Sequence, residues 1–501
     1  MNREEFTKGI NRGIKAIILV FTTFFTTNAI SQNSWYDSLE YGSHTVGFKV
    51  ISTKDFSRPY KTGKDSSFIP RPMQMGIWYP AASDKTGRTI HFGYLLALEN
   101  SDETLEGVDP ALVTKPSEKY EQYFPPEKLD LVFNKPIHSK LDASAQKGNF
   151  PIIIYGSSQG SSGYDNAMLC ELIASHGFIV VTVASKGAYS RQMPFNAEGA
   201  EAQTRDLEFL FGQMYTYPNA DEHNIGTVGF SFGGLNMVTF SLKNTRVKAM
   251  VSLDGSISSP SGIEILNSYS YLNVKNFNSN FLGFLGDKST INNFPIIDQA
   301  FLSDMYLLKL AKLNHLDFSS FNLMIHERPD YVHKAYVDMA NLTVKFLNHN
   351  FKNDLAFDRA IANYSKDIYS EAKQKKSKGT PTISKEEYIN YIKENGIEEG
   401  IQIYYETKSS FPEYQLFDYD SFRDIGFMKM IEKDYESAVK VYKVLLEEFP
   451  DNPDSYRRLG EAYMQVGNYS EARKLINNGL KLDPESPAMN DILRLINEKD
   501  K

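Results

Sequence analysis

Short apolar runs punctuate the middle of the chain: PIIIY (151–155), FIVVTVA (178–184), IGTVGF (225–230), VKAMVSLD (247–254), FLGFLG (281–286) and FNLMIH (321–326). Runs of this length without alternation predict strands buried on both faces. Stretches with helical spacing, such as DNAMLCELIASHG and AQTRDLEFLFGQMY, separate several of them. Strands and helices alternating in this way predict a mostly parallel sheet covered on both sides, an α/β fold. Before them, HTVGFKVIS (44–52) and RPMQMGIWYP (71–80) alternate in part and end in turn residues, which predicts an antiparallel opening pair. Residues 81–148 are polar and proline-interrupted, and are expected as an insertion packed over one edge. VDMANLTVKFLNHNF (337–351) reads as the helix that closes the unit, which spans 32–352.

The pattern changes at both ends. Residues 353–384, with KQKKSKGTPTISK, are polar and lysine-rich and are expected as a linker. Beyond them, in 385–501, IGFMKMIEKDYESAVKVYKVLLEEFPDNPDSY and LGEAYMQVGNYSEARKLINNGLKLDPESPAM coincide at a shift of 34 residues. Gly426 falls on Gly460, Tyr435 on Tyr469, Ala438 on Ala472 and Pro450 on Pro484, which resembles the tetratricopeptide repeat. IEEGIQIYYETKSSFP is a weaker third copy. An all-α repeat region is expected there, with a surface suited to a protein partner. At the other end, MNREEFTKGINRGIK is followed by apolar AIILVFTTFF and TTNAIS, the layout of a signal peptide (1–31) ending at Ala29-Ile30-Ser31. Export to the periplasm or cell exterior is expected, with no membrane span after cleavage.

Composition narrows the classes. The chain has 501 residues, 41% of them hydrophobic and 23% charged, enough for a large core. Its net charge of −8 provides no basic footprint for nucleic acid. The single cysteine, Cys170, precludes an intramolecular disulfide and sits in an apolar helical pattern as a small hydrophobe. No cluster of His, Asp or Glu has metal-ligand spacing, so no metal or cofactor is expected.

The candidate chemistry is nucleophilic. Gly-x-Ser-x-Gly marks the strand-to-helix turn on which serine hydrolases present their nucleophile, and it occurs twice, at Ser158 and at Ser231. Ser231 has four candidate strands before the one that carries it and three after, whereas Ser158 has two before its own, which would put it at the sheet edge. Gly229, Gly233 and Gly234 also supply the small residues that a sharp turn needs, so Ser231 is the candidate nucleophile. The earlier turn then supplies a backbone donor to an oxyanion, beside the N–H of Phe232. For the base, chain order leaves His315, His326, His333 and His349. His315 lies in a loop, in KLNHLDFSSF, while the others lie on a strand or helix. Two aspartates end strands and either could orient an imidazole: Asp254, 23 residues after Ser231, and Asp287, one strand later.

GFSFGG, ASHGFIVVTV, the strand-end LDG, NHLDFSSF and RPMQMGIWYP together resemble the platelet-activating-factor acetylhydrolase family, a branch of the α/β-hydrolases near dienelactone hydrolase. The resemblance covers about residues 40–350. It implies an α/β-hydrolase fold with Ser231, Asp254 and His315 as the catalytic set, and Asp287 in reserve. It also implies Gln159 N–H as the second oxyanion donor, and a phospholipid or short-acyl ester as substrate. The chain departs from that family at Ser157-Ser158, where a His-Gly pair is usual. Phe230, Phe232 and Trp78 are expected to line an apolar acyl pocket. A peptidase using the same residues, and a non-catalytic protein that binds through its repeats, are the alternatives.

Overall fold

The computed structural model describes residues 35–62, 67–83, 86–113, 125–269, 273–289, 291 and 294–499. The expected signal peptide lies outside them. The chain divides into two compact units.

The first unit, within Met1–Tyr269, Asn280–Phe294 and Tyr306–Gln374, is built on a sheet of eleven strands. In chain order these are β1 (Thr45–Tyr60), β2 (Ile69–Ala81), β3 (Arg88–His91), β4 (Pro136–Leu141), β5 (Phe150–Gly156), β6 (Ile179–Val183), β7 (Ala220–Phe230), β8 (Val247–Leu253), β9 (Asn280–Leu285), β10 (Met305–Leu310) and β11 (Tyr369–Lys375). Their order across the sheet is β11-β10-β9-β8-β7-β5-β6-β2-β1-β4-β3. β5 through β9 pair in parallel, and β2 is antiparallel to both β1 and β6. All five residues of β6 are buried, as helices on both faces require. The helices are α1 (Phe92–Leu98), α2 (Pro126–Phe133), α3 (Ala167–Ser175), α4 (Ala197–Met214), α5 (Phe232–Lys243), α6 (Pro260–Asn267), α7 (Ser320–Ile325), α8 (Asp330–Lys352) and α9 (Ala356–Ala362).

Strand order corrects one argument from the sequence. β5 is not at an edge: it lies between β7 and β6, in the middle of the sheet. The chain leaves β5 on one side and returns as β7 on the other, so the loops after β5 and β7 flank the switch point where ligands bind in open α/β sheets.

Four element assignments also change. The 81–148 insertion does more than cover an edge, because β4 pairs in parallel with β1 and β3 then pairs with β4, extending the sheet. FNLMIH is not a strand: Ser319 caps Asn322 N–H and the segment becomes α7. MYLLKL, which is not among the expected strands, is β10, since a short apolar run carries no period of its own. The expected linker contains α9 and edge strand β11, whose lysines and glutamate disguise it as a solvated segment. Trp78, expected at a pocket, is fully buried between the rings of Phe48 and Tyr164, with centroids 4.9 and 6.1 Å away.

The second unit, Ser270–Ser279, Pro295–Met305 and Lys375–Lys501, is mainly helical. Its principal helices are α10 (Lys385–Asn395), α11 (Ile397–Ser410), α12 (Tyr419–Ile431), α13 (Tyr435–Glu448), α14 (Pro453–Gln465), α15 (Tyr469–Leu482) and α16 (Pro487–Lys499). The repeat landmarks sit where paired helices touch. Ala438 and Ala472 are fully buried. A Cβ on Gly426 would stand 2.4 Å from the Tyr442 ring, and one on Gly460 would stand 2.7 Å from Ile476. The weak third copy is α11, paired with α10. Among the described residues, no helix is long and apolar enough to cross a membrane.

Candidate active site

Ser231 ends β7 and opens α5 with φ 56° and ψ −121°, a left-handed conformation that a residue with a Cβ adopts only under constraint. The constraint is steric. A Cβ on Gly229 would lie 2.6 Å from the Gly233 backbone, and one on Gly234 would lie 2.7 Å from Gly255 Cα. Only glycines allow the strand and helix to approach this closely, and the turn pushes Ser231 out between them.

His315 begins a single 3₁₀ turn, His315–Phe318, after β10. The Asp317 carboxylate fixes that turn: Oδ2 accepts Asn314 N–H at 2.9 Å and Oδ1 accepts Arg328 Nε at 2.6 Å. The imidazole Nδ1 is 2.7 Å from Asp254 Oδ2, and Nε2 is 2.7 Å from Ser231 Oγ. A carboxylate opposite Nδ1 makes that nitrogen the donor, which leaves Nε2 free to accept the Ser231 proton. The Phe230 ring stacks on the imidazole with centroids 5.2 Å apart, holding its plane. The His315 side chain is 46% exposed and can meet a substrate, while that of Asp254 is only 7% exposed.

The carboxylate is held as firmly as the ring. Asp254 Oδ1 accepts Gly286 N–H at 2.8 Å and Ser289 Oγ–H at 2.9 Å. Asp287 is exposed, and its N–H donates to the Leu313 carbonyl at 2.8 Å. The structure therefore sets Asp254, not Asp287, against His315.

Phe232 is the first residue of α5, so its N–H has no partner inside the helix. Gln159 lies in the loop after β5. There the Ser158 N–H donates to Asp165 Oδ2 at 2.9 Å and the Gly160 N–H to Ser185 Oγ at 3.4 Å. Among the described residues the Gln159 N–H between them has no acceptor. Its side chain is turned away, with Nε2 donating to the Met193 carbonyl at 2.8 Å. Gln203 Nε2 holds the Ser157 carbonyl at 2.9 Å, and Asn236 of α5 donates in turn to Gln203.

Ser158, Gln159 and Gly160 also form one wall of a cavity of about 530 Å³, with Tyr164, Phe321 and Ile325 among its other walls. Of the remaining histidines, His326 borders this cavity, His333 stacks on Trp35 and His349 faces Asp354 and Asp358. Burial of Cys170 pushes its thiol well up. Among the described residues, no group of three His, Cys, Asp or Glu side chains is arranged to hold a metal ion.

Sequence reasoning missed Gly286, Ser289 and Arg328, whose spacing carries no signal. It also missed Asp317, although Asn314-x-x-Asp317 has the spacing of a capping box.

No curated protein matches the chain. A ferulic acid esterase from Streptomyces cinnamoneus is among the similar solved structures, with 16% identity and a TM-score of 0.48 over 66% of this chain and 96% of that one. The tetratricopeptide repeat family matches residues 429–496, from the end of α12 into α16.

Proposed function

We propose that the chain is an exported serine hydrolase of carboxylic esters, with Ser231 as nucleophile, His315 as base and Asp254 as its orienting acid. One observation carries the reading: a continuous line of hydrogen bonds runs from Asp254 through His315 to a serine in a strained strand-to-helix turn. In this mechanism Ser231 Oγ attacks the ester carbonyl carbon while its proton passes to His315 Nε2. The carbonyl oxygen becomes an oxyanion facing the N–H groups of Phe232 and Gln159. Collapse of that intermediate breaks the C–O bond, and the alcohol leaves with the proton from His315. Water then attacks the acyl-enzyme with His315 again as base, which releases the acid and restores Ser231. Asp254 holds the ring in place throughout and stabilises the imidazolium.

The family resemblance supports a short-acyl or phospholipid ester. The first thirty-one residues support export, and the repeats support a protein partner.

The test is hydrolysis of p-nitrophenyl esters from acetyl to longer acyl chains, together with labelling by a fluorophosphonate. Wild type should turn over the shorter esters and be labelled at Ser231, and Ser231→Ala should do neither. Cleavage of aminoacyl amides with indifference to esters would make the protein a peptidase. No labelling at all would leave the repeats as the seat of function.

A further inference from the structure

The donor loop and the turn carrying His315 are tied to the same two buried residues ahead of α3. Asp165 Oδ2 accepts Ser158 N–H at 2.9 Å, and Oδ1 accepts Tyr155 Oη–H at 2.8 Å. The Asp165 backbone carbonyl accepts from the other side: Ser319 Oγ–H at 2.7 Å and Phe321 N–H at 3.0 Å. Asn166 repeats the arrangement. Its Nδ2 donates to Tyr155 Oη at 2.9 Å and to the Phe318 carbonyl at 3.0 Å. Its Oδ1 accepts Ser320 N–H at 2.8 Å and Tyr336 Oη–H at 2.9 Å.

A carboxylate buried to this extent, with no cation paired to it among the described residues, is costly to fold around. Burial pushes the Asp165 carboxyl up, against the Ser158, Tyr155 and Ser161 donors that hold it down. Two of its donors, the N–H and the hydroxyl of Ser158, belong to the residue before Gln159, and a third, Ser161, lies two residues after it. A loop of serines and glycines has many conformations, and an anionic acceptor under the Ser158 N–H selects among them. The same residue's carbonyl reaches the segment that follows the His315 turn.

We propose that Asp165 is a positioning residue that locks the donor loop and the His315 turn in register, so that Gln159 N–H and His315 Nε2 face one substrate carbonyl together. It touches no reacting atom, and its effect passes through Ser158 on one side and Ser319 on the other. The inference rests on the serine-hydrolase reading above.

The experiment compares wild type, Asp165→Asn and Tyr155→Phe. It measures kcat and KM on p-nitrophenyl acetate, thermal unfolding, and affinity for an aryl boronic acid that forms a tetrahedral adduct on Ser231. Asp165→Asn should lower kcat by about 10- to 100-fold, since it misaims one oxyanion donor. KM should change little, and boronate affinity should fall by a similar factor to kcat. Tyr155→Phe, which removes one hydroxyl and keeps the carboxylate, should shift kcat and boronate affinity the same way but less, and serves if Asp165→Asn does not fold. Unchanged kcat in the variants, or a fall in kcat with boronate affinity intact, overturns the inference while wild-type activity still upholds the hydrolase reading. A wild type that neither cleaves esters nor labels at Ser231 defeats both.

Discussion

Gly233 sits so close to Gly156 that a Cβ on the former would stand 2.0 Å from the latter's carbonyl oxygen. The two glycine-rich turns of this chain are therefore in contact, one ending β5 and the other following β7. Gly233→Ala must separate backbone from backbone, which no side-chain rotation relieves. It should cost about 3 kcal/mol, the upper end for overpacking, a fall of several degrees in melting temperature, and most of the ester activity. Gly160→Ala is the control: its φ is +69° with open space around the site, so only backbone strain applies. That strain is about 1–2 kcal/mol. Equal losses from both changes would show that crowding at Gly233 is unimportant.

Asp254 and Asp287 are separated kinetically as they are in space. Asp254→Asn keeps the shape but turns the orienting acceptor into an amide, and kcat should fall by roughly 10⁴ if it behaves as the corresponding change does in serine proteases. Asp287→Asn alters an exposed side chain and should leave kcat as it is. The reverse ranking in the p-nitrophenyl ester assay would move the acid to Asp287.

The parts of this architecture that were legible in the sequence are those with a local signature. β5 and β6 are nearly unbroken apolar runs because both their faces are covered. The Ser231 turn was legible because its Gly-x-Ser-x-Gly pattern is local, although the backbones that crowd Gly233 and Gly234 lie at Gly156 and Gly255. Strand order was not, since nothing in PIIIY records that β5 neighbours β7. Nor could Asp254 and Asp287 be ranked without the resemblance, because each follows an apolar strand. What distinguishes them is distant in sequence: Gly286 and Ser289 donate to Asp254, while Asp287 turns outward. Asp165 and Asn166 carry no local signal in the sequence, and only their partners 154 and 152 residues away mark them out.

Asp317 and Arg328 make a further prediction about the His315 turn. The aspartate is 1% exposed and its guanidinium partner 24%, at 2.6 Å. Arg328→Ala strands a buried carboxylate, which should cost about 3–5 kcal/mol. It should also loosen the turn and lower kcat about tenfold through poorer alignment of the base. Arg328→Met combined with Asp317→Asn should recover much of the stability, because the uncompensated charge is gone. A double-mutant cycle in urea measures this. Additive losses would show that the pair is uncoupled.

Lys186 provides a pH-dependent test of stability. Its ammonium is fully buried and donates to the carbonyls of Pro72 at 2.8 Å and Asp102 at 3.2 Å. Burial pushes its pKa down to about 8, with the Asp102 charge opposing and the Arg71 charge assisting. In the unfolded chain a lysine titrates near 10.4. Between about 8 and 10.4 the unfolded state therefore binds more protons than the native state, and stability rises with pH in that window. Below 8 both states are protonated and the native state carries the full penalty of the buried charge. Lys186→Met has no such group. The melting temperature of wild type should therefore gain on that of Lys186→Met as pH is raised from 7.5 to 10, by an amount corresponding to roughly 3 kcal/mol at full deprotonation. A difference that stays flat across this range would mean that Lys186 remains charged in the fold, held by Asp102 rather than released by burial.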